Sequence, residues 1–208
     1  MKSISGIRIG LSAPDLIIAL VSSIDEVEKI FFRRLRQIKN LKELKQGNEF
    51  SRFSVEQLLR HQPRKMFPGF WLSRNNIVND SGLSAIKLED EETLAVTSRV
   101  LCQNGKIRHL PLVDFNCEIN SDNLQTIKDF FKQTIGQGII LESGRSYHGY
   151  GTKLLSQREM AIFFGNCLLF SGFIDERYIG HRLIDGEMCL RITANRLRSE
   201  LPKVVDWV

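Results

Sequence analysis

Over residues 112–118 the chain reads Leu-Val-Asp-Phe-Asn-Cys-Glu, alternating apolar and polar positions with period two. A strand that buries one face produces this pattern, with Val113, Phe115, Cys117 and Ile119 inward and Asp114, Asn116 and Glu118 outward. Upstream, residues 94–102 predict another strand, and Asn104-Gly105 predicts a hairpin into a return strand over 106–119. Ser121 and Asp122 predict the cap of a helix built on Leu124, Ile127, Phe130, Phe131 and Ile135 and closed by Gly136 and Gly138. A buried strand over 139–142, a glycine-rich loop over 143–151 and a helix from Ser156 to Phe170 follow. Residues 173–181 and 187–193 predict two more strands about a turn at Asp185-Gly186, which leaves Asp185 exposed and remote from the other acids.

The N-terminal part has a different texture. Ile4, Ile7, Ile9 and Leu11 suggest a short edge strand, and Ser12 or Asp15 caps the helix that comes next. Residues 16–45 predict two helices, the second built on Val27, Ile30, Phe31, Leu35, Ile38, Leu41 and Leu44. Arg33, Arg34, Arg36, Lys39, Lys42 and Lys45 would decorate its outside. They form a phosphate-binding face or, since Glu26, Glu28 and Glu43 are interspersed, a solvated one. Gln46-Gly47-Asn48 breaks the pattern, a short helix follows over 54–61, and Pro63 ends it. Residues 66–72 are dense in large apolar groups and read as core, although aromatics also stack on bases. The polar stretch 74–81 is the boundary between a small, mostly helical N-terminal module (1–80), integrated with the core, and the main domain (81–208). The fold class is α+β: an antiparallel sheet with helices packed on one face, similar to the RNA-recognition-motif sheet.

Composition bounds the picture. The 208 residues, 42 % apolar and 25 % charged, can bury a sizeable core. Lys and Arg number 29 against 24 acids, and the net charge of +5 permits a nucleic-acid or nucleotide partner without requiring one. Four widely spaced cysteines with no Cys-x-x-Cys argue against a structural zinc site and for a reducing compartment. No charged-then-apolar signal pattern opens the chain, and the apolar run 16–21 is too short to span a bilayer. The expectation is a cytoplasmic protein without a membrane partner.

Three polar clusters carry candidate chemistry. Asp114, Asn116 and Glu118 offer a row of oxygens that can ligate a hard divalent cation; the same row fits a solvated strand face. Residues 142–151, Glu-Ser-Gly-Arg-Ser-Tyr-His-Gly-Tyr-Gly, join three glycines to Arg145, Ser146 and His148, with Lys153 just beyond. Glycines permit close backbone approach, and the side chains are donors for phosphate oxygens; a plain glycine-rich turn is the alternative. In an extended chain Ser146 and His148 point the same way, Tyr147 packs inward, and His148 is partly exposed at the cleft. The third cluster runs from Ile174-Asp175 through Arg177, Tyr178, His181 and Arg182 to Leu190-Arg191-Ile192-Thr193, with Asp175 at the lip of the sheet or a surface turn acid.

The succession Asp114-Phe115-Asn116, Ser146-Tyr147-His148, Ile174-Asp175 and Leu190-Arg191 resembles the archaeo-eukaryotic primase superfamily, the primase-polymerases, over roughly residues 94–195. The resemblance implies a modified RNA-recognition-motif sheet packed with an N-terminal module. It implies metal-dependent nucleotidyl transfer on nucleic acid, with Asp114, Asn116 and Asp175 catalytic. Asp114, Asn116, Glu118 and Asp175 would hold Mg²⁺ or Mn²⁺; Arg145, Ser146, His148, Lys153 and Arg191 would bind the nucleotide. The implied partners are a nucleoside triphosphate and single-stranded nucleic acid, together with other replication or mobile-element proteins. The departure is Asn116, which stands where the family has a second acid and supplies oxygen without charge. Glu118, two residues or about 7 Å further along a strand, is the compensating candidate. The alternative function is therefore a catalytically degenerate primase-like protein that binds nucleotide or nucleic acid.

Overall fold

The structure is a computed structural model that describes residues 6–37, 64–79 and 81–208. The expected alternation at Ile4, the lysines at 39, 42 and 45, the break at 46–48 and the short helix 54–61 lie outside the described residues.

Helix α1, Ala13–Ser23, is capped by Ser12, whose hydroxyl accepts the Asp15 amide. Ala13, Leu16, Ile17, Leu20 and Val21 recur at helical spacing and are all buried. The predicted second helix is instead the long strand β1, Val27–Gln37. Its apolar positions fall at helical spacing because two irregularities shift the strand's phase, between Val27 and Lys29 and again between Ile30 and Phe32. Ile30, Phe31 and Phe32 are consecutive and all buried, as both faces of a central strand allow. The arginines that would have lined a helix meet carboxylates. Arg33 pairs with the buried Glu187, while Arg34 and Arg36 reach Glu92.

Among the described residues, two antiparallel sheets make up the body. The first contains β1, β2 (Arg64–Met66), β3 (Phe70–Ser73), β4 (Glu92–Cys102), β5 (Ile107–His109) and β9 (Cys189–Arg191). Both β1 and β9 pair with β4, so strands from either side of the expected boundary at residue 80 share one sheet. The stretch predicted as a polar boundary loop begins with the short helix α2, Arg74–Val78. The β4–β5 hairpin turns at Asn104-Gly105 as predicted; Gly105 has φ +75°, a conformation that favours glycine. The return strand is broken at Leu110 and Pro111, where the chain leaves the first sheet for the second.

The second sheet has the order β10-β7-β8-β6, from β6 (Leu112–Asp114), β7 (Gly138–Glu142), β8 (Tyr147–Gly151) and β10 (Lys203–Trp207). Helices α3 (Ser121–Thr134) and α4 (Gln157–Leu169) join one another through Phe130 and Phe163, with ring centroids 6.1 Å apart. Asn120 caps α3, one residue before the predicted Ser121, and Ser156 with Glu159 forms a capping box on α4. The predicted strand over 173–181 is largely helix α5, Glu176–Asp185. Asp175 accepts the Tyr178 amide at 3.1 Å, which is the cap that starts it. Asp185 is the last residue of that helix; it is half-buried and paired with Arg182 at 2.9 Å rather than exposed in a turn. One continuous apolar core runs from α1 and the first sheet to Phe131 and the second sheet.

Candidate functional site

Strands β6 and β8 pair so that Asp114 stands opposite His148. Directly paired residues share a sheet face, and the imidazole Nε2 lies 3.5 Å from Asp114 Oδ1. Beyond β6, Phe115 bridges Ile174 antiparallel, and the Asn116 amide donates to the Phe173 carbonyl at 2.7 Å. Asp114 precedes Phe115 and Asp175 follows Ile174, so the two acids flank this bridge from the same end. The two acids therefore come from distant parts of the sequence to adjacent places on neighbouring chains. Asp175 is exposed and the Asp114 side chain is about one-third exposed.

The acid row itself is shorter than its alternation implied. The strand ends at Asp114. The chain then turns toward the Asn120 cap, held by the Cys117 amide, which donates to Ser146 Oγ at 3.0 Å. Asn116 and Glu118 are exposed on this turning stretch, not on a strand face with Asp114. The Glu118 carbonyl is taken by the Asn123 side chain.

The Ser146 hydroxyl accepts from the Cys117 amide and points at the Cys117 sulfur at 3.8 Å, so it clasps two segments together. Burial pushes the Cys117 thiol up, and the Ser146 hydroxyl beside it pulls the other way. Tyr147 does pack inward, 2 % exposed, with its hydroxyl on the Asn120 carbonyl. His148 is only 4 % exposed, where partial exposure was expected.

The nucleotide-binding candidates separate. Arg145 is exposed at the tip of the 143–146 turn, where Gly144 has φ +93°. Arg191, in β9, is buried and donates to the carbonyls of Ser143, Glu200 and Thr193. It fastens the turn from behind. Lys153 lies past the other end of β8, paired with Glu159 at 3.8 Å. About 13 Å of extended strand separates it from the start of β8.

Gly149 of the loop and Gly138 of β7 lie against helix α3. A Cβ on Gly149 would stand 2.4 Å from Phe131 Cζ, and one on Gly138 would stand 2.7 Å from the same ring. A Cβ on Gly151 would meet Pro111 and Ile135. Their lack of side chains lets the aromatic core of α3 lie on the sheet.

Tyr150 is the residue the sequence reading passed over. It sits two residues beyond His148 in β8, on the same face, and diagonal to Asp114 through its pairing with Leu112. It is fully buried, and its hydroxyl has no hydrogen-bond partner among the described residues. Burial holds its phenol well above the usual range; Arg191 lowers it somewhat and Asp114 raises it further. Spacing of two from a candidate histidine was the signal that could have found it.

The donor set can be tested against a metal. Among the described residues, no group of three or more His, Cys, Asp and Glu is arranged to hold one. Asp114 and Asp175 carry carboxylate oxygens, the ligand type that magnesium and manganese take.

The sequence matches the model of one family, described as archaeo-eukaryotic primase 1D-like, over residues 74–203. The chain belongs to this family. The matched stretch covers more than half of the primase-like protein and includes every candidate residue named above. Comparisons with curated proteins and with solved structures return no significant match. No helix among the described residues is long and apolar enough to cross a membrane.

Proposed function

We propose that this primase-like protein binds a nucleoside triphosphate beside Asp114, His148 and Asp175 and transfers its nucleotidyl group to a nucleic-acid 3′-hydroxyl. The observation that supports the reading best is the Phe115–Ile174 bridge, which has Asp114 just before it on one chain and Asp175 just after it on the other, with His148 paired to Asp114. In the reaction the 3′-oxygen attacks the α-phosphorus, the bond to pyrophosphate breaks, and the hydroxyl proton passes to solvent. Asp114 and Asp175 would hold Mg²⁺ or Mn²⁺ delivered with the triphosphate. Such an ion draws charge from the phosphates and the leaving pyrophosphate. Arg145, exposed at its turn, adds positive charge for the triphosphate, and the His148 imidazole supplies a donor beside Asp114. Ser146 and Arg191 keep the turn in place rather than touching the nucleotide.

A second reading is binding without transfer. Asn116 favours it, because the neutral amide sits on an exposed turn and offers no third carboxylate for a second ion. Nucleotide incorporation on a single-stranded template, primed and unprimed, with Mn²⁺, tests the first reading. Asp175→Asn keeps a side chain that can cap α5 but removes its charge. It should abolish incorporation at least about a hundredfold with little change in melting temperature. Triphosphate binding by calorimetry without incorporation would establish the second reading. No affinity at millimolar triphosphate would dismiss both.

A further inference from the structure

Helix α4 is apolar on both sides. Met160, Phe163, Phe164 and Cys167 form its buried face. Its opposite face carries Ala161, Ile162, Gly165, Leu168 and Leu169, all exposed. Ile162 is 58 % exposed, Leu168 40 % and Leu169 88 %. From Met160 to Leu169 the sole polar side chain is Asn166. A helix on the surface of a monomer ordinarily turns charged and polar residues to water.

The arrangement is symmetric about Gly165. Ile162 and Leu168 lie three residues either side of it; Ala161 and Leu169 lie four either side. Two copies of α4 crossing antiparallel on a two-fold axis at Gly165 would set Ile162 against Leu168. Each Leu169 would lie over the small Ala161 of the other copy. This is the self-complementarity that an isologous interface requires, residue i meeting j and j meeting i. Gly165 itself has nothing within 4 Å of where a Cβ would stand, so its bare backbone is free to be the point of closest approach. Helix α5, in contact with α4, adds Leu183 at 44 % exposure and Ile184 at 71 %. Together the five large side chains expose on the order of 500 Å² of apolar surface per copy, comparable with the largest apolar patch a monomer ordinarily shows. Two copies would bring roughly 1,000 Å² together, about where specific interfaces begin.

We propose that the outer face of α4 is a dimer interface, and that its occupant is a second copy of this chain. The crossing point is Gly165, and α5 flanks it. The inference does not depend on the chemistry proposed for Asp114 and Asp175.

Sedimentation velocity on the full chain from 1 to 100 µM is the first test, and a concentration-dependent dimer is expected. Leu169→Glu and Ile162→Glu should each weaken it at least a hundredfold while leaving the melting temperature of the monomer in place, because both side chains are already in water. Gly165→Cys distinguishes this interface from any other. On a two-fold axis the new thiol faces its own copy, so diamide oxidation should give a disulfide-linked dimer on a non-reducing gel. Ala161→Cys, off the axis and opposite Leu169, should cross-link at least tenfold more slowly. A chain that stays monomeric at 100 µM overturns the proposal. So does a dimer indifferent to Leu169→Glu, or equal cross-linking by the two cysteine variants.

Discussion

Replacing Gly149 by alanine asks why the Ser146–Gly151 segment is so rich in glycine. A methyl group there would stand 2.4 Å from Phe131 Cζ, 2.7 Å from its Cε2 and 3.0 Å from Phe115 Cε2. Relaxed carbon contacts lie near 3.5–4.0 Å, so the Phe131 ring would have to retreat by about 1 Å. It has little room to do so. Phe131 is fully buried, and Gly138 on the neighbouring strand already lies against the same ring. Phe115 and Phe130 enclose it, with centroids 6.1 and 5.9 Å away. Overpacking of a closed core costs about 1–3 kcal/mol, and this site falls at the upper end. For a chain of this size that corresponds to a drop of roughly 6–12 °C in melting temperature. Urea and thermal denaturation of Gly149→Ala measure it. Phe131→Leu in the same background should relieve part of the clash, giving a coupling of about 1 kcal/mol or more in the double-mutant cycle. The reasoning is refuted if Gly149→Ala melts with the wild type while triphosphate affinity falls, since the glycine would then serve ligand approach and not the helix.

Tyr150→Phe removes a buried hydroxyl that has no partner among the described residues, so the variant should be as stable as the wild type or up to about 1 kcal/mol more stable by urea denaturation. A loss beyond 1 kcal/mol would mean that the hydroxyl is satisfied. His148→Ala should weaken triphosphate binding about tenfold or more in calorimetry. Because His148 is 4 % exposed, it should also lower the melting temperature, and unchanged stability would contradict its burial. The His109 imidazole is buried against Gln157 and Ser98, and burial lowers its pKa below 6.5; the Gln157 contact opposes this, and Arg99 adds to it. A lowered folded-state pKa means that its contribution is complete above about 6.5 and is lost as pH falls toward the folded value. Melts from pH 7.5 to 5 should therefore show a steeper loss in the wild type than in His109→Gln, and parallel curves would count against it.

Sequence alone determined the elements whose signals lie within a few residues of one another. The Asn104-Gly105 hairpin, the Ser156–Glu159 capping box, the apolar stripe of α3 and the brief alternation that ends at Asp114 are such cases. Caps, turns and short periodicities are local, and the chain carries their physics in its own spacing. The order of short motifs also pointed to the family, because order and spacing survive without knowledge of the fold. Tertiary structure decided what depends on a distant partner. Strand β1 reads as a helix because bulges shift its phase and both its faces are covered, conditions set by strands from elsewhere in the chain. Asp175 reads as a strand residue, yet it caps a helix, and a single long-range bridge between its neighbour Ile174 and Phe115 brings it toward the end of β6. Ser146 and Arg191 look like phosphate donors in one dimension; in three, a backbone amide engages the hydroxyl and three carbonyls engage the guanidinium. A side chain's chemistry is written in its identity, but whether its donors face a ligand or the protein depends on which unpaired backbone groups the fold brings beside it.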